Sequence, residues 1–362
     1  MYRSFSIKNF RLFKDLRLDG LKRVNLIAGV NNVGKTALLE ALYVHAAAPA
    51  IGALLAADRF RSPLLSLAGE VAEIVRPRWA SLFVAFDEAT EVELSATTSE
   101  GIARTVRLRV VTDPDLIRRI DMFGVTSLKV VGDHPIPAVY EPILELELDE
   151  GKEPARYYAV IDKEDVRVKP YHPPPTVPCI MLPAAMGLTA ETVSRLFSRL
   201  EVRREEERVL EAAQVVDPRI KRLTVVMVGN TPLLHADLGS GPLIPLPLMG
   251  EGVTSVIGMV LAISSARDGM VLMDEIENGV HHSAMGEIWR MVRRLSEAYD
   301  VQVFATTHSF ECILASHFAF EESEDYDFRL IRLERTDDGN IEPVCLSRES
   351  LGSAIEFDFE VR

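Results

Sequence analysis

At 362 residues the chain is long enough to bury a large core, as one α/β domain or two lobes. Its 48% hydrophobic and 26% charged residues are the balance of an ordinary globular protein, and a formal net charge of −14 argues against a surface that coats nucleic acid broadly. Cys179, Cys312 and Cys345 are odd in number and widely spaced, so they read as reduced core thiols and not as a disulfide frame or zinc site. Arg3, Lys8, Arg11 and Lys14 interrupt any early apolar run, and the apolar stretch at 46–57 is broken by Pro49 and Gly52. Neither a secretory leader nor a membrane span is expected, which makes the expected location cytoplasmic.

In chain order, Tyr2 to Leu18 places Phe5, Ile7, Phe10, Leu12 and Leu16 in near-alternation, predicting a hairpin. Val24 to Ala28 is an apolar strand that runs into Gly29-Val30-Asn31-Asn32-Val33-Gly34-Lys35-Thr36, the G-x-x-x-x-G-K-[ST] pattern of a P-loop, and a helix opens at Ala37. A polyphosphate needs a concave array of backbone N–H groups, a mobile cation and a metal-binding hydroxyl. The glycines permit the tight path, Lys35 can reach the β- and γ-phosphates, Thr36 can ligate Mg²⁺, and the helix dipole faces the phosphates. Gly29, Asn31, Asn32, Val33, Gly34, Lys35, Thr36 and Ala37 are therefore the expected nucleotide contacts.

Strand-like segments follow at 80–87, 91–96, 104–111, 142–147 and 156–160, predicting a β-rich lobe inserted after the P-loop helix, and 170–178 (PYHPPPTVP) reads as a stiff connector. A helix is predicted over 189–215 with Thr189 as N-cap, then strands at 223–228 and 233–238 and an apolar helix at 252–265. Met270 to Met273 is a buried strand ending in Asp274 and Glu275. A helix over 283–299, a strand over 301–305 and then Thr306-Thr307-His308-Ser309 complete an alternating βα pattern. The acids between Glu321 and Asp327 read as a solvated loop, with closing strands from Phe328 onward.

Two carboxylates at the C-terminal end of a buried parallel strand are the Walker B arrangement. Asp274 is placed to hold Mg²⁺ and Glu275 to polarise the attacking water as general base. His308, at the end of the neighbouring strand, is placed to contact the γ-phosphate. The local basic pairs Arg118-Arg119, Arg203-Arg204, Lys221-Arg222 and Arg293-Arg294 read as solvated helix faces, so a nucleic-acid partner is not signalled.

These motifs resemble the ABC-type ATPase heads of the SMC, recombination-repair and OLD (overcoming lysogenization defect) proteins, across about residues 1–60 and 178–315. The Ile7-Lys8-Asn9-Phe10-Arg11 opening resembles the start of such heads, which implies that Arg11 lies near the nucleotide. Asp274 to His281 resembles the Walker B and D-loop of OLD-like AAA/ABC ATPases. The resemblance further implies ATP as nucleotide and a head-to-tail homodimer in which a signature segment closes over the partner's nucleotide. Here that segment is Pro247 to Ser255, with Gly250, Glu251 and Gly252 as the contacts. It departs from Leu-Ser-Gly-Gly in lacking the serine and in carrying Glu251. No Q-loop glutamine is placed.

The expected fold is thus an α/β P-loop NTPase of ABC-ATPase-head type, with a β-rich insert and a helical subdomain. Its core is read at 1–60 and 261–362, the β-rich lobe at 61–177 and the helical and signature part at 178–260. Only about 50 residues follow His308, too few for the Toprim domain of OLD nucleases, and there is no room for SMC coiled-coil arms. An Mg²⁺-dependent ATPase that controls a separate effector, a nuclease or toxin in phage defence or DNA maintenance, is the leading function. A non-enzymatic or very slow ATP-dependent scaffold is the alternative, and a nuclease acting by itself comes last.

Overall fold

The computed structural model describes residues 1–48, 79–121, 143–161, 166–169, 177–184, 187–357 and 360–361. The connector at 170–178, apart from its last two residues, and the boundary drawn at residue 60 lie outside the described residues. The strands are β1 (Tyr2–Phe10), β2 (Phe13–Asp19), β3 (Val24–Ala28), β4 (Val92–Thr98), β5 (Ala103–Val111), β6 (Ile143–Asp149), β7 (Ala155–Ile161), β8 (Val166–Lys169), β9 (Cys179–Leu182), β10 (Arg222–Val228), β11 (Thr231–Asp237), β12 (Ile244–Pro245), β13 (Met270–Met273), β14 (Gln302–Thr306), β15 (Phe328–Arg335) and β16 (Ile341–Leu346). The helices are α1 (Lys35–Ala47), α2 (Pro114–Asp121), α3 (Ala190–Arg203), α4 (Glu207–Val216), α5 (Glu251–Ser265), α6 (Met285–Ala298), α7 (Phe310–Glu321) and α8 (Arg348–Glu356). Two compact units result. One comprises Met1–Tyr2, Gly20–Leu39 and Val177–Arg362, the other Arg3–Asp19 and Glu40–Thr176.

The second unit is built on an antiparallel sheet in the order β2-β1-β4-β5-β6-β7-β8. Its strands alternate, with Leu94, Val106, Leu108 and Leu146 on the buried face. The other face carries cross-strand pairs such as Lys8–Glu93, Arg107–Glu93, Arg107–Glu147 and Arg156–Glu147. Each exposed pair contributes about 0–1 kcal/mol, and their lateral matching also fixes register. His45 on α1 is fully buried, edge-on to Phe5, and burial pushes its pKa down to about 3, so it stays neutral. The strand read at 80–87 is instead a turn and a single 3₁₀ turn at Val84–Phe86, joined to the end of β1 through the Phe10–Phe83 bridge and through the Arg11 N–H, which donates to the Leu82 carbonyl. Its apolar residues bury from a turn: Trp79, Leu82 and Phe83 are inside while Phe86 is 70% exposed.

The first unit holds the sheet β16-β15-β3-β14-β13-β9, in which β15, β3, β14, β13 and β9 run parallel. β3, β13 and β14 are buried at every position, the signature of parallel strands covered on both faces. Register places Met273 beside both Ala305 and Leu182, and Thr306 beside Ile27. Gly29, Asp274 and Thr307 therefore all leave the sheet at the same edge.

Thr189 caps α3 as expected, its hydroxyl accepting from Thr192 N. The single helix read over 189–215 breaks after Arg203. Arg204 turns left-handed at φ 60° and donates to the Leu200 and Glu201 carbonyls, because the run Arg203 to Glu207 supplies no apolar residue to continue the buried stripe. The terminal segment is likewise not all strand: α8 follows β16, opened by a Ser347–Ser350 capping box.

Candidate nucleotide-phosphate site

The loop between β3 and α1 takes the path its glycines were read to permit. Gly29 has φ 143° and Gly34 φ 105°, both in the region that favours glycine. Gly29 has a second reason: a Cβ there would sit 2.7 Å from the Leu333 carbonyl oxygen of the neighbouring β15. Asn32, at φ 62°, accepts from the Arg335 guanidinium through its backbone carbonyl at 3.3 Å, so β15 also steadies the loop's tip. Val33 and Ala37 are buried beneath the loop, and Val30 is 67% exposed. Lys35 Nζ donates to the carbonyls of Gly29 at 2.7 Å and Val30 at 3.2 Å. Burial lowers its pKa, opposed by the nearby Glu275, Asp274 and Glu277 carboxylates. A desolvated ammonium resting on two loop carbonyls, with acids close by, is a cation ready to take an anion.

Asp274 is the node of the site. Its Oδ2 accepts from Thr36 Oγ1 at 3.0 Å, and its Oδ1 accepts from Thr306 Oγ1 at 2.6 Å. Thr306 Oγ1 in turn accepts from Glu275 N at 2.8 Å, and its carbonyl accepts from Ile276 N. Asp274 N donates to Leu182 O of β9. One strand-terminal hydroxyl thus ties both acids of β13 to β14. Glu275 stands at φ 51°, a conformation that costs about 1–3 kcal/mol in a residue with a side chain. Its Oε2 accepts from Asn278 Nδ2 at 2.7 Å. Thr36 and Asp274 are hard oxygen donors with their polar atoms in contact, a donor set that fits Mg²⁺.

His308 is half-exposed and is held by Glu277: its ring Nδ1 lies 3.1 Å and its backbone N 2.9 Å from Glu277 Oε1. The segment Gly250–Gly252 opens α5. Gly250, at φ 94°, is an N-cap without a side-chain cap, and Glu251 stands in the first turn. Gly252 and Gly279 pack so closely that a Cβ on the first would be 2.6 Å from the Gly279 carbonyl, and one on the second 2.6 Å from Glu251 Cγ. A cavity of about 340 Å³ lies between this turn and the acids, lined among others by Leu182, Gly250, Thr254, Asp274, Glu275 and Asn278.

The first unit therefore brings together Lys35, Thr36, Asp274 and Glu275, with His308 attached through Glu277 and Gly252 through Gly279. Arg11 belongs to the other unit, where it pairs with buried Glu40 at 2.6 Å and donates to Ser81 Oγ. Thr306, Glu277 and Asn278 have site roles that the motifs did not assign. Their signal was only that each sits in a chemistry-bearing segment. The strand beside β13 proves to be β9, and the segment that leaves it begins Pro183-Ala184, with no glutamine in 183–188.

A family model described as "AAA ATPase domain" matches residues 1–48, and one described as "AAA domain, putative AbiEii toxin, Type IV TA system" matches residues 186–313. The chain is 22% identical to an ATP/GTP phosphatase of Helicobacter pylori over 99% of its own length and 98% of that protein's. It is 35% identical to an uncharacterized protein of Methanocaldococcus jannaschii over 112 residues, 29% of this chain and 96% of that one. Among solved structures, an Smc head bound to the C-winged helix domain of ScpA aligns with a TM-score of 0.51 at 11% identity, covering 96% of this chain and 98% of that one. That last likeness is one of fold.

Proposed function

We propose, from the premise that this chain carries AAA-family ATPase domains in an SMC-head-like fold, that it binds ATP with Mg²⁺ and hydrolyses the nucleotide in a head-to-tail homodimer. The observation that carries the reading is the Thr36–Asp274–Thr306 node, with Glu275 one residue beyond it and Lys35 one residue before Thr36. The name of the Helicobacter pylori relative supports nucleoside-triphosphate hydrolysis.

Lys35 exchanges its loop carbonyls for the β- and γ-phosphates, while Gly29 to Ala37 surround them with backbone donors. Thr36 and Asp274 hold Mg²⁺, which supplies charge neutralisation along the phosphate chain when bound. Asn278 occupies one oxygen of Glu275, and the other takes the proton of the attacking water. His308 meets the γ-phosphate, and Gly250 to Gly252 of the second protomer close the site. Phosphate release from ATP with and without Mg²⁺, alongside mass by light scattering, tests this. Hydrolysis without Mg²⁺, or the same mass with and without ATP in Glu275→Gln, would overturn it.

The likeness to OLD-type heads supports a switch that acts on a separate cytoplasmic effector, a nuclease or toxin. The toxin–antitoxin wording of the family description supports the same context, and no helix among the described residues is long and apolar enough to cross a membrane. Plasmid nicking by the purified chain alone would sink the separate effector. Glu251 in the α5 first turn, where a phosphate would approach, favours the slower alternative of an ATP-dependent scaffold. Single-turnover hydrolysis far faster than steady state would exclude a site that is slow at chemistry.

A further inference from the structure

Glu277 is a half-buried acid that the hydrolytic reading leaves without a task. Its side chain is 13% exposed, and its Oε1 gathers three contacts: Thr307 Oγ1 at 2.8 Å, His308 N at 2.9 Å and His308 Nδ1 at 3.1 Å. Two of the three have a settled direction. A backbone N–H only donates, and the Thr307 hydroxyl accepts from Ser309 N at 3.0 Å, which turns its proton toward Glu277. Oε1 then faces the ring nitrogen with a lone pair, and a hydrogen on Nδ1 is the arrangement that avoids setting two lone pairs against each other at 3.1 Å. We propose that Glu277 is a positioning residue that fixes His308 in its Nδ1–H form and so presents Nε2 as the nitrogen that meets the ligand. This rests on the reading of His308 as the γ-phosphate contact. In the neutral ring Nε2 then accepts, as from a water. It donates to a phosphate oxygen only when the ring is protonated.

The arrangement follows from the register of two parallel strands. β13 and β14 end together, so the turn after Glu275 and the turn after Thr306 run side by side, and a residue two places past one meets a residue two places past the other. The carboxylate–histidine pairing known from metal and hydrolase sites uses the same physics: the acid selects the tautomer and the ring's orientation.

The test reads the ring directly. In protein with ¹⁵N-labelled histidine, two-bond ¹H–¹⁵N correlations at a pH where the rings are neutral distinguish the tautomers, and the signal lost in His308→Ala identifies residue 308. We expect Nδ1–H in the wild type and in Glu277→Gln, whose amide oxygen still accepts, and a shift toward Nε2–H in Glu277→Ala. A wild-type ring in the Nε2–H form would overturn the proposal without need of any variant, as would an unchanged tautomer in a folded Glu277→Ala.

Single-turnover hydrolysis supplies the second arm. His308→Ala and Glu277→Ala should each slow it about tenfold with ATP affinity kept, and the double variant should be no slower than either single one, as residues acting through one another require. A loss near a hundredfold in the double variant would separate the two residues and overturn the proposal. Full activity in His308→Ala, with the tautomer as expected, would instead refute the γ-phosphate role and leave the positioning intact.

Discussion

Two glycine-rich turns in the first unit lead into helices, and they treat the helix N-terminus in opposite ways. At α1 the first turn contains no acid, and Lys35 and Thr36 already bond within the chain, to Gly29, Val30 and Asp274. At α5 the cap is a glycine without a side-chain bond, the first turn carries Glu251, and the preceding Leu248 is 74% exposed. An N-terminal dipole stabilises a nearby anion at both places. Only the first supplies a counter-cation and a metal-binding oxygen pair. The second offers backbone donors, a carboxylate that opposes an incoming phosphate, and an apolar residue in water. On the proposed reading the partner protomer completes such a surface, whereas the P-loop holds its cation and its oxygen pair within one chain.

The comparison breaks most sharply at Glu275. Glu275→Gln should lower turnover about a thousandfold while ATP binding persists, since general-base catalysis contributes about 10²–10⁴-fold; steady-state hydrolysis and nucleotide affinity measured on the same sample decide it. Next comes Lys35→Ala, for which we expect about a hundredfold weaker ATP binding by calorimetry, because backbone donors alone do not replace a buried ammonium. Unchanged affinity would mean that the α1 turn is not the phosphate site. For Gly252→Ala the expectation is about a tenfold loss of steady-state hydrolysis with the affinity of the single chain intact, the added carbon colliding with the Gly279 carbonyl. An equal fall in affinity would erase the distinction between the two turns. The smallest effect belongs to Glu251→Gln. Removing one charge from the α5 first turn should tighten ATP-dependent association about threefold, given the roughly 0.3–1 kcal/mol of such interactions, and weaker association in sedimentation runs would show that Glu251 assists closure.

Lys35, Thr36, Asp274 and Glu275 were legible because the first two open the helix that closes a fixed-length loop and the other two directly follow a strand, places where local pattern alone sets the geometry. Thr306 was not. A threonine closing a strand has no distinguishing spacing, and its role exists only because β14 lies beside β13 in a register that no local window contains. Glu277 and Asn278 were hidden in the same way, their partners being set by how the two turns fold back. β9 as the neighbour of β13 was equally out of reach, since a run of only four apolar residues announces neither a strand nor its place in a sheet. Period was the weaker guide elsewhere. The apolar run within 80–87 satisfied a strand template but serves a turn, and the charged run at 203–207 ended a helix that composition favoured continuing.

The contact between Gly252 and Gly279 is a joint without clearance, since neither position has room for one more carbon atom. A loose joint absorbs a displacement of a few tenths of an ångström by rotating a side chain, but here a carbon on Gly252 would meet the Gly279 carbonyl itself, and the Glu251 side chain closes the Gly279 side. Glu275, Glu277 and Asn278 sit on the same short stretch of chain as Gly279, so three side chains with fixed partners lie within four residues of the point where the start of α5 has no spare room.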